Sequence, residues 1–137
     1  MGCQLERRPL IVLDSSALFA ILLNETHGPA CEAMIERADT LLLSAGTLTE
    51  LLVVATRKSI YDEMLSFVGA LDRTIVPLTS DRAHAAAEAY RSWGKGLNKA
   101  KLNICDVFAY ALAKEHDCPL LFVGNDFALT DVTPALG

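Results

Sequence analysis

Four acids stand where the sequence changes character. Asp14 ends the apolar run 10–13, and Glu50 lies between Leu48 and Leu51. Asp106 sits between Cys105 and Val107, and Asp126 between Val123 and Phe127. Carboxylates set so closely among apolar neighbours repel one another and rise in pKa if they converge, unless a cation neutralises them. An oxygen-only donor set favours a hard ion, Mg2+ or Mn2+, over zinc. Such an ion can activate a water and neutralise charge on a phosphate, which suits phosphodiester hydrolysis without a histidine or lysine base. His27, His84 and His116 are scattered, and Cys3, Cys31, Cys105 and Cys118 form no C-x-x-C pair. Neither a zinc site nor a disulfide framework is therefore expected, and the thiols are expected reduced.

Each acid also has a plain structural explanation. Acids at helix N-termini stabilise by about 0.3–1 kcal/mol. Thr47-x-x-Glu50 has the spacing of a capping box, in which Glu50 would reach back to a backbone amide. Asn103 to Asp106 is a weaker version of the same pattern, and Asp14 and Asp126 could each be an N-cap.

The positioning elements follow from periodicity. Apolar runs at 10–13, 41–43, 75–78 and 119–123 predict buried parallel strands, with Pro77 placing the third at an edge or a strand end, and a short fifth strand near Val132. Helical spacing covers 17–23, a segment from Pro29 to Arg37, 47–58, 61–71, a helix capped by Ser80 and ending near Trp93, and 105–116. Residues 94–103 form a glycine- and lysine-rich loop. Strands alternating with helices give an α/β fold, a three-layer α/β/α sandwich around a mainly parallel four- to five-stranded sheet. Ligands of such sheets bind beyond the carboxyl ends of the strands, so Asp14, Glu50, Asp106 and Asp126 are expected on one rim.

The 137 residues, 52% apolar and 21% charged, match one well-buried domain. We expect residues 1–9 to be a loosely attached extension and 10–137 to be the domain. No apolar run approaches the roughly 20 residues of a membrane span. Arg7 and Arg8 precede an apolar stretch too short for a secretory signal, so a cytoplasmic protein is expected. The net charge of −5 argues against binding nucleic acid over the whole surface. Local basic groups remain: Lys95, Lys99 and Lys101 precede Asp106, and Arg57 lies two helical turns beyond Glu50. These could hold phosphates, or be solvated charges. Tyr90 and Trp93 could stack on a base, although their helical spacing favours core or dimer packing.

In their order the motifs resemble a known family. Ile11-Val-Leu-Asp14-Ser-Ser16-Ala-Leu18 is similar to the opening motif of PIN-domain proteins, and Thr49-Glu50 to their second acidic motif. Gly94-Lys-Gly96 leading to Leu102-Asn-Ile-Cys-Asp106-Val-Phe-Ala-Tyr-Ala-Leu112 resembles the third. Pro119-Leu-Leu-Phe-Val-Gly-Asn-Asp126-Phe with Thr130-Asp131 resembles the fourth. The set looks like the VapC group of toxin–antitoxin ribonucleases. The resemblance implies a PIN-like fold and a Mg2+/Mn2+-dependent endoribonuclease acting on RNA such as tRNA or rRNA. It also implies a homodimer and a VapB-like antitoxin partner. Asp14, Asp106 and Asp126 would be metal ligands, Glu50 would bind through water or orient the nucleophile, and Ser16 would hydrogen-bond within the site. Asp131 would support the site from behind, or be an ordinary cap. Cys105 and Val107 around the third acid, and Asn125 where relatives often carry an acid, depart from the pattern without deleting an acid of the main set.

Other readings are separable by residue. An aspartate-based phosphatase of the haloacid dehalogenase type needs a second acid two residues after the first, where Ser16 stands. A phosphoacceptor receiver domain needs paired acids after the first strand and a late lysine, and the sequence offers neither. A PIN-like module that binds RNA or a partner without cleaving it, and a DNA-directed nuclease with the same centre, are the remaining alternatives.

Overall fold

In the computed structural model residues 9–136 are described. The expected N-terminal extension lies, apart from Pro9, outside them. Four strands, β1 (Leu10–Leu13), β2 (Thr40–Ser44), β3 (Thr74–Val76) and β4 (Leu120–Leu121), form one sheet in the order β3-β2-β1-β4. Every pairing is parallel: Ile11 is opposite Leu41, Val12 opposite Leu120, and Leu43 opposite Ile75. The crossovers are helical: α1 (Ser15–Leu22) and α2 (Gly28–Arg37), then α3 (Ala45–Arg57) and α4 (Tyr61–Ala70), then α5 (Ser80–Trp93) and α6 (Asp106–Glu115).

Strand periodicity of two divides the core into two layers. Val12, Leu42, Val76 and Leu120 face one side and pack with Ala86 and Ala89 of α5 and Val107, Tyr110 and Leu112 of α6. Ile11, Leu13, Leu41, Leu43 and Leu121 face the other and pack with Leu18 of α1, Cys31 of α2, Leu51 and Ala55 of α3, and Met64 and Val68 of α4. Strands buried on both faces need continuous apolar runs, which is why LIVL and LLL carry no polar alternation. The three-layer sandwich is the expected one.

Local differences have physical reasons. The fifth strand near Val132 is reduced to a bridge between Leu120 and Pro134, with Leu120 N donating to Thr133 O and Ala135 N to Leu120 O. Proline has no amide to extend a ladder. Pro77 limits β3, an edge strand, to Thr74–Val76 in the same way. The cap of α5 is Thr79 rather than Ser80, because Thr79 Oγ1 accepts from the Arg82 amide at 3.2 Å. Among the described residues Cys31, Cys105 and Cys118 are free thiols, and no helix is long and apolar enough to cross a membrane.

Candidate active site

Asp14 leaves the carboxyl end of β1 as the N-cap of α1. Its Oδ2 accepts from the Ser16 amide at 3.1 Å and from Ser16 Oγ at 2.6 Å. Ser16 Oγ also accepts from the Val123 amide at 3.0 Å, just past β4. One hydroxyl therefore ties the ends of two neighbouring strands to one carboxylate. Asp14 is only 5% exposed. Burial lifts its pKa from 3.8 to about 6; the Ser16 bonds oppose that rise, and the charges of Glu50 and Asp126 add to it.

Asp106 opens α6, and here the weaker capping pattern does form. Asn103 Oδ1 accepts from the amides of Cys105 at 2.8 Å and Asp106 at 3.0 Å, while Asp106 Oδ2 accepts from the Asn103 amide at 3.0 Å. A cap normally sits in solvent, yet Asp106 is 9% exposed. Its pKa is raised to about 6, by burial first and by the charges of Asp14 and Asp126, against the lowering effect of the Asn103 bond.

Glu50 requires a correction. The N-cap of α3 is Ser44, whose Oγ accepts from the Gly46 amide at 3.1 Å. Because Ser44 caps at the end of β2, Thr47 is already inside the helix. Its Oγ1 is buried without a partner. Glu50, in the stretch that starts at Ala45, lies past the first turn. The Thr47–Glu50 capping box therefore does not form. The pKa of the Glu50 carboxylate is raised by burial first and by the charge of Asp106 as well, while the Ser15 side chain lowers it. Gly46 lets these helices approach: a Cβ there would stand 2.6 Å from Cγ of Phe108, two residues beyond Asp106.

Asp126 is exposed and follows Gly124, whose φ of +100° suits glycine. It lies in turns, so it caps no helix. Its charge acts on both Asp14 and Asp106. The four acids thus share one electrostatic field at the rim of the sheet. Cys105 feels it too: burial, then Glu50, Asp106 and Asp14, push its thiol up.

The donor chemistry of this rim fits a hard divalent cation, since carboxylates held above their ordinary pKa are those a cation would relieve. Among the described residues, no group of three or more Asp, Glu, His or Cys side chains is disposed to hold one metal ion between them.

The remaining candidates divide. Ser16 is in the site. Asp131 stands outside the acid group: its Oδ1 accepts from Tyr110 Oη at 2.5 Å, and its Oδ2 pairs with Lys114 Nζ at 3.2 Å. Trp93 Nε1 donates to the same Tyr110 oxygen at 2.9 Å, and Tyr90 Oη donates to Lys95 O at 3.1 Å. Both aromatic residues pack on the core. Arg57, Lys95, Lys99 and Lys101 are exposed, and none joins an ion pair among the described residues. Arg91 is paired with Glu88 at 2.9 Å. Sequence reasoning missed Ser15, which only the Asp-Ser-Ser string hinted at, and the double role of Asn103.

Comparison with known proteins gives a consistent result. The PIN domain family matches residues 11–132. Ribonuclease VapC42 of Mycobacterium tuberculosis is 33% identical over 132 residues, covering 91% of this chain and 98% of that protein. Ribonuclease VapC30 of the same organism is 38% identical over 125 residues, covering 89% and 95%. Among solved structures, the Mycobacterium tuberculosis toxin VapC20, described as cleaving the sarcin–ricin loop, superposes with a TM-score of 0.74 at 12% identity, covering 90% of this chain and 96% of that one. VapBC2 of Rickettsia felis, bound to a promoter DNA fragment, gives 0.64 at 15% identity, covering 91% and 96%. At such identities the structural likenesses speak for the fold alone.

Proposed function

The chain belongs to the PIN-domain family, alongside its VapC ribonucleases, and on that footing we propose that it is a divalent-metal-dependent endoribonuclease, the toxin of a toxin–antitoxin pair. The observation that carries the reading is the pair Asp14 and Asp106. Both carboxylates are buried at the carboxyl rim of the sheet, and both are lifted to about 6 by burial first, with the charges of neighbouring acids contributing. A fold keeps such a pair at a cost to its own stability, and carboxylates perturbed in this way cluster at functional sites.

When bound, Mg2+ or Mn2+ supplies the charge that ionises an attacking water and neutralises the scissile phosphate. Asp14, Asp106 and Asp126 would hold it. Ser16 keeps the Asp14 carboxylate in one orientation, and Asn103 does the same for Asp106. Glu50 would orient the water and accept its proton. Asp131 supports α6 through Tyr110, one helical turn beyond Asp106. Lys95, Lys99, Lys101 and Arg57 bind RNA phosphates flanking the scissile one. The substrate is a structured RNA, tRNA or rRNA. The working form is a cytoplasmic homodimer neutralised by a VapB-like antitoxin, and residues 10–137 form its single nuclease domain.

The test is cleavage of a total RNA pool with Mg2+ or Mn2+, mapped by sequencing, against Asp14→Asn and Asp106→Asn. Discrete cuts lost in both variants and in EDTA support the reading. Cuts that persist in both variants overturn it. Tight RNA binding with no cleavage would replace it with a binding module.

A further inference from the structure

Asp106, Tyr110 and Lys114 recur at every fourth position of α6, so they lie along one stripe of that helix. The two beyond Asp106 reach a single carboxylate: Tyr110 Oη donates to Asp131 Oδ1 at 2.5 Å, and Lys114 Nζ stands 3.2 Å from Asp131 Oδ2. The Lys114 pair is largely exposed, at 43% and 53%, and contributes little by itself. Tyr110 is buried, and its bond to an ionised acceptor is the firm half. That bond, ahead of Lys114, holds Asp131 below the usual carboxylate range. Trp93 Nε1, at the end of α5, donates to the same Tyr110 oxygen at 2.9 Å. Burial first, and the Asp131 bond after it, push the Tyr110 hydroxyl up to about 12 against the Trp93 bond, so it stays a donor at neutral pH.

Asp131 belongs to the segment that carries Asp126. The chain leaves the sheet after β4 and comes back beside it, where Leu120 N donates to Thr133 O and Ala135 N to Leu120 O, both at 2.9 Å. Between those ends lies a run of turns: Ala128 N donates to Asn125 O, Thr130 N to Phe127 O, and Val132 N to Thr130 Oγ1. Gly124, near its start, has a φ of +100° and open space where a Cβ would stand. Phe127 is buried, but apolar contact has no preferred direction. A loop closed at one base can swing about that base until its side is tied. The bonds of Asp131 tie that side to α6, the helix that begins with Asp106.

We propose that Tyr110 is a positioning residue which, through Asp131, fixes this loop along α6 and so sets the place of Asp126 relative to Asp106 in the metal centre. The proposal rests on the metal-dependent reading of the acids. Asp126 joins no ion pair among the described residues, so its place depends on what holds the loop around it. The charge of Asp126 acts on Asp106, as it must if loop and helix run side by side. Partners standing behind metal ligands commonly set affinity in this way, although they never touch the ion.

The experiment measures Mn2+ affinity by calorimetry and, in the metal-free full chain, amide hydrogen exchange. Tyr110→Phe removes one oxygen and keeps the ring, Asp131→Ala removes the acceptor, and Asp131→Asn retains one. Tyr61→Phe makes the same change as the first at an exposed position of α4. Tyr110→Phe and Asp131→Ala should each weaken Mn2+ binding about tenfold, the lower end for partners behind metal ligands. Asp131→Asn should lose less, and Tyr61→Phe nothing. Without metal, the amides of Ala128, Thr130 and Val132 should exchange faster in Tyr110→Phe while that of Val12 in β1 holds. In an Asp126→Ala background the Tyr110→Phe change should shift Mn2+ affinity by less than about twofold, because the group it positions is gone. An equal tenfold loss in that background would mean that Tyr110 acts through Asp106 instead, and would overturn the proposal. Unaltered affinity and exchange in Tyr110→Phe would overturn it as well. If the wild type binds no Mn2+, the metal reading fails by itself, and unchanged exchange in Tyr110→Phe still decides against Tyr110 as the tie of the loop.

Discussion

Ser16 Oγ donates to Asp14 Oδ2 at 2.6 Å while accepting from the Val123 amide at 3.0 Å, so the orientation of the first acid is fixed from the neighbouring strand's end. Removing this hydroxyl leaves a buried carboxylate short of a donor and a backbone amide short of an acceptor. Such losses cost about 1–3 kcal/mol. Ser16→Ala should therefore lower the urea midpoint of unfolding and slow RNA cleavage at least tenfold at saturating Mg2+. A variant that keeps full kcat would show that Ser16 is only a structural tie.

The pKa of Asp14 gives a pH prediction with a definite sign. In the fold the group binds its proton below about 6, and its ordinary value is 3.8. Between those values the folded state holds a proton that the unfolded chain has lost, so stability falls as pH rises through that window and is level above it. Asp14→Asn retains a capping side chain and lacks the titration. In EDTA the wild type should lose stability relative to Asp14→Asn between about pH 4 and 6, by on the order of 3 kcal/mol. Saturating Mg2+ at pH 7 should narrow the gap, because an ion that binds only the folded state stabilises it. Parallel stability curves for the two proteins across this range would contradict the burial argument.

Much of this site was legible because its parts are local in sequence. LIVL before Asp14 and LLF before Gly124 are runs that only doubly covered strands require, and an acid after such a run falls on the ligand-binding rim. The rest depends on which of several competing caps the chain uses. Ser44 and Thr47 both suit the start of α3, and sequence alone favoured Thr47 for its spacing to Glu50. The strand ends at Ser44, and its hydroxyl reaches the Gly46 amide first. Asp131 was ambiguous for another reason: its partners Tyr110 and Lys114 are about 20 residues away in the chain, on a helix face that periodicity does not orient towards it.

Gly46 yields a packing prediction. An added Cβ would meet the Phe108 ring at 2.6–3.0 Å, including Cγ, which cannot swing away as a chain end could. Overpacking of this kind costs about 1–3 kcal/mol. Gly46→Ala should destabilise the fold and, by forcing α3 from α6, separate Glu50 from Asp106 and lower kcat. Phe108→Leu in the same chain should recover a part of both losses. Rescue of stability without rescue of kcat would show that this helix contact does not set the distance between the two acids.

The lysines make a prediction that separates binding from chemistry. Lys95, Lys99 and Lys101 lie in the loop before Asp106 and have no acidic partner among the described residues, so phosphates compete only with solvent and salt for them. Each single-strand phosphate contact contributes about 0.7 to the slope of log affinity against log salt. Replacing all three by glutamine should raise KM, leave kcat within about twofold, and reduce that slope by about 2. Arg57, seven residues beyond Glu50 along α3, stands roughly 10 Å further down the helix axis. Arg57→Gln should therefore shift KM and the slope by one contact at most. An equal fall in kcat for the triple variant would move the lysines from holding the RNA to acting on the reacting phosphate.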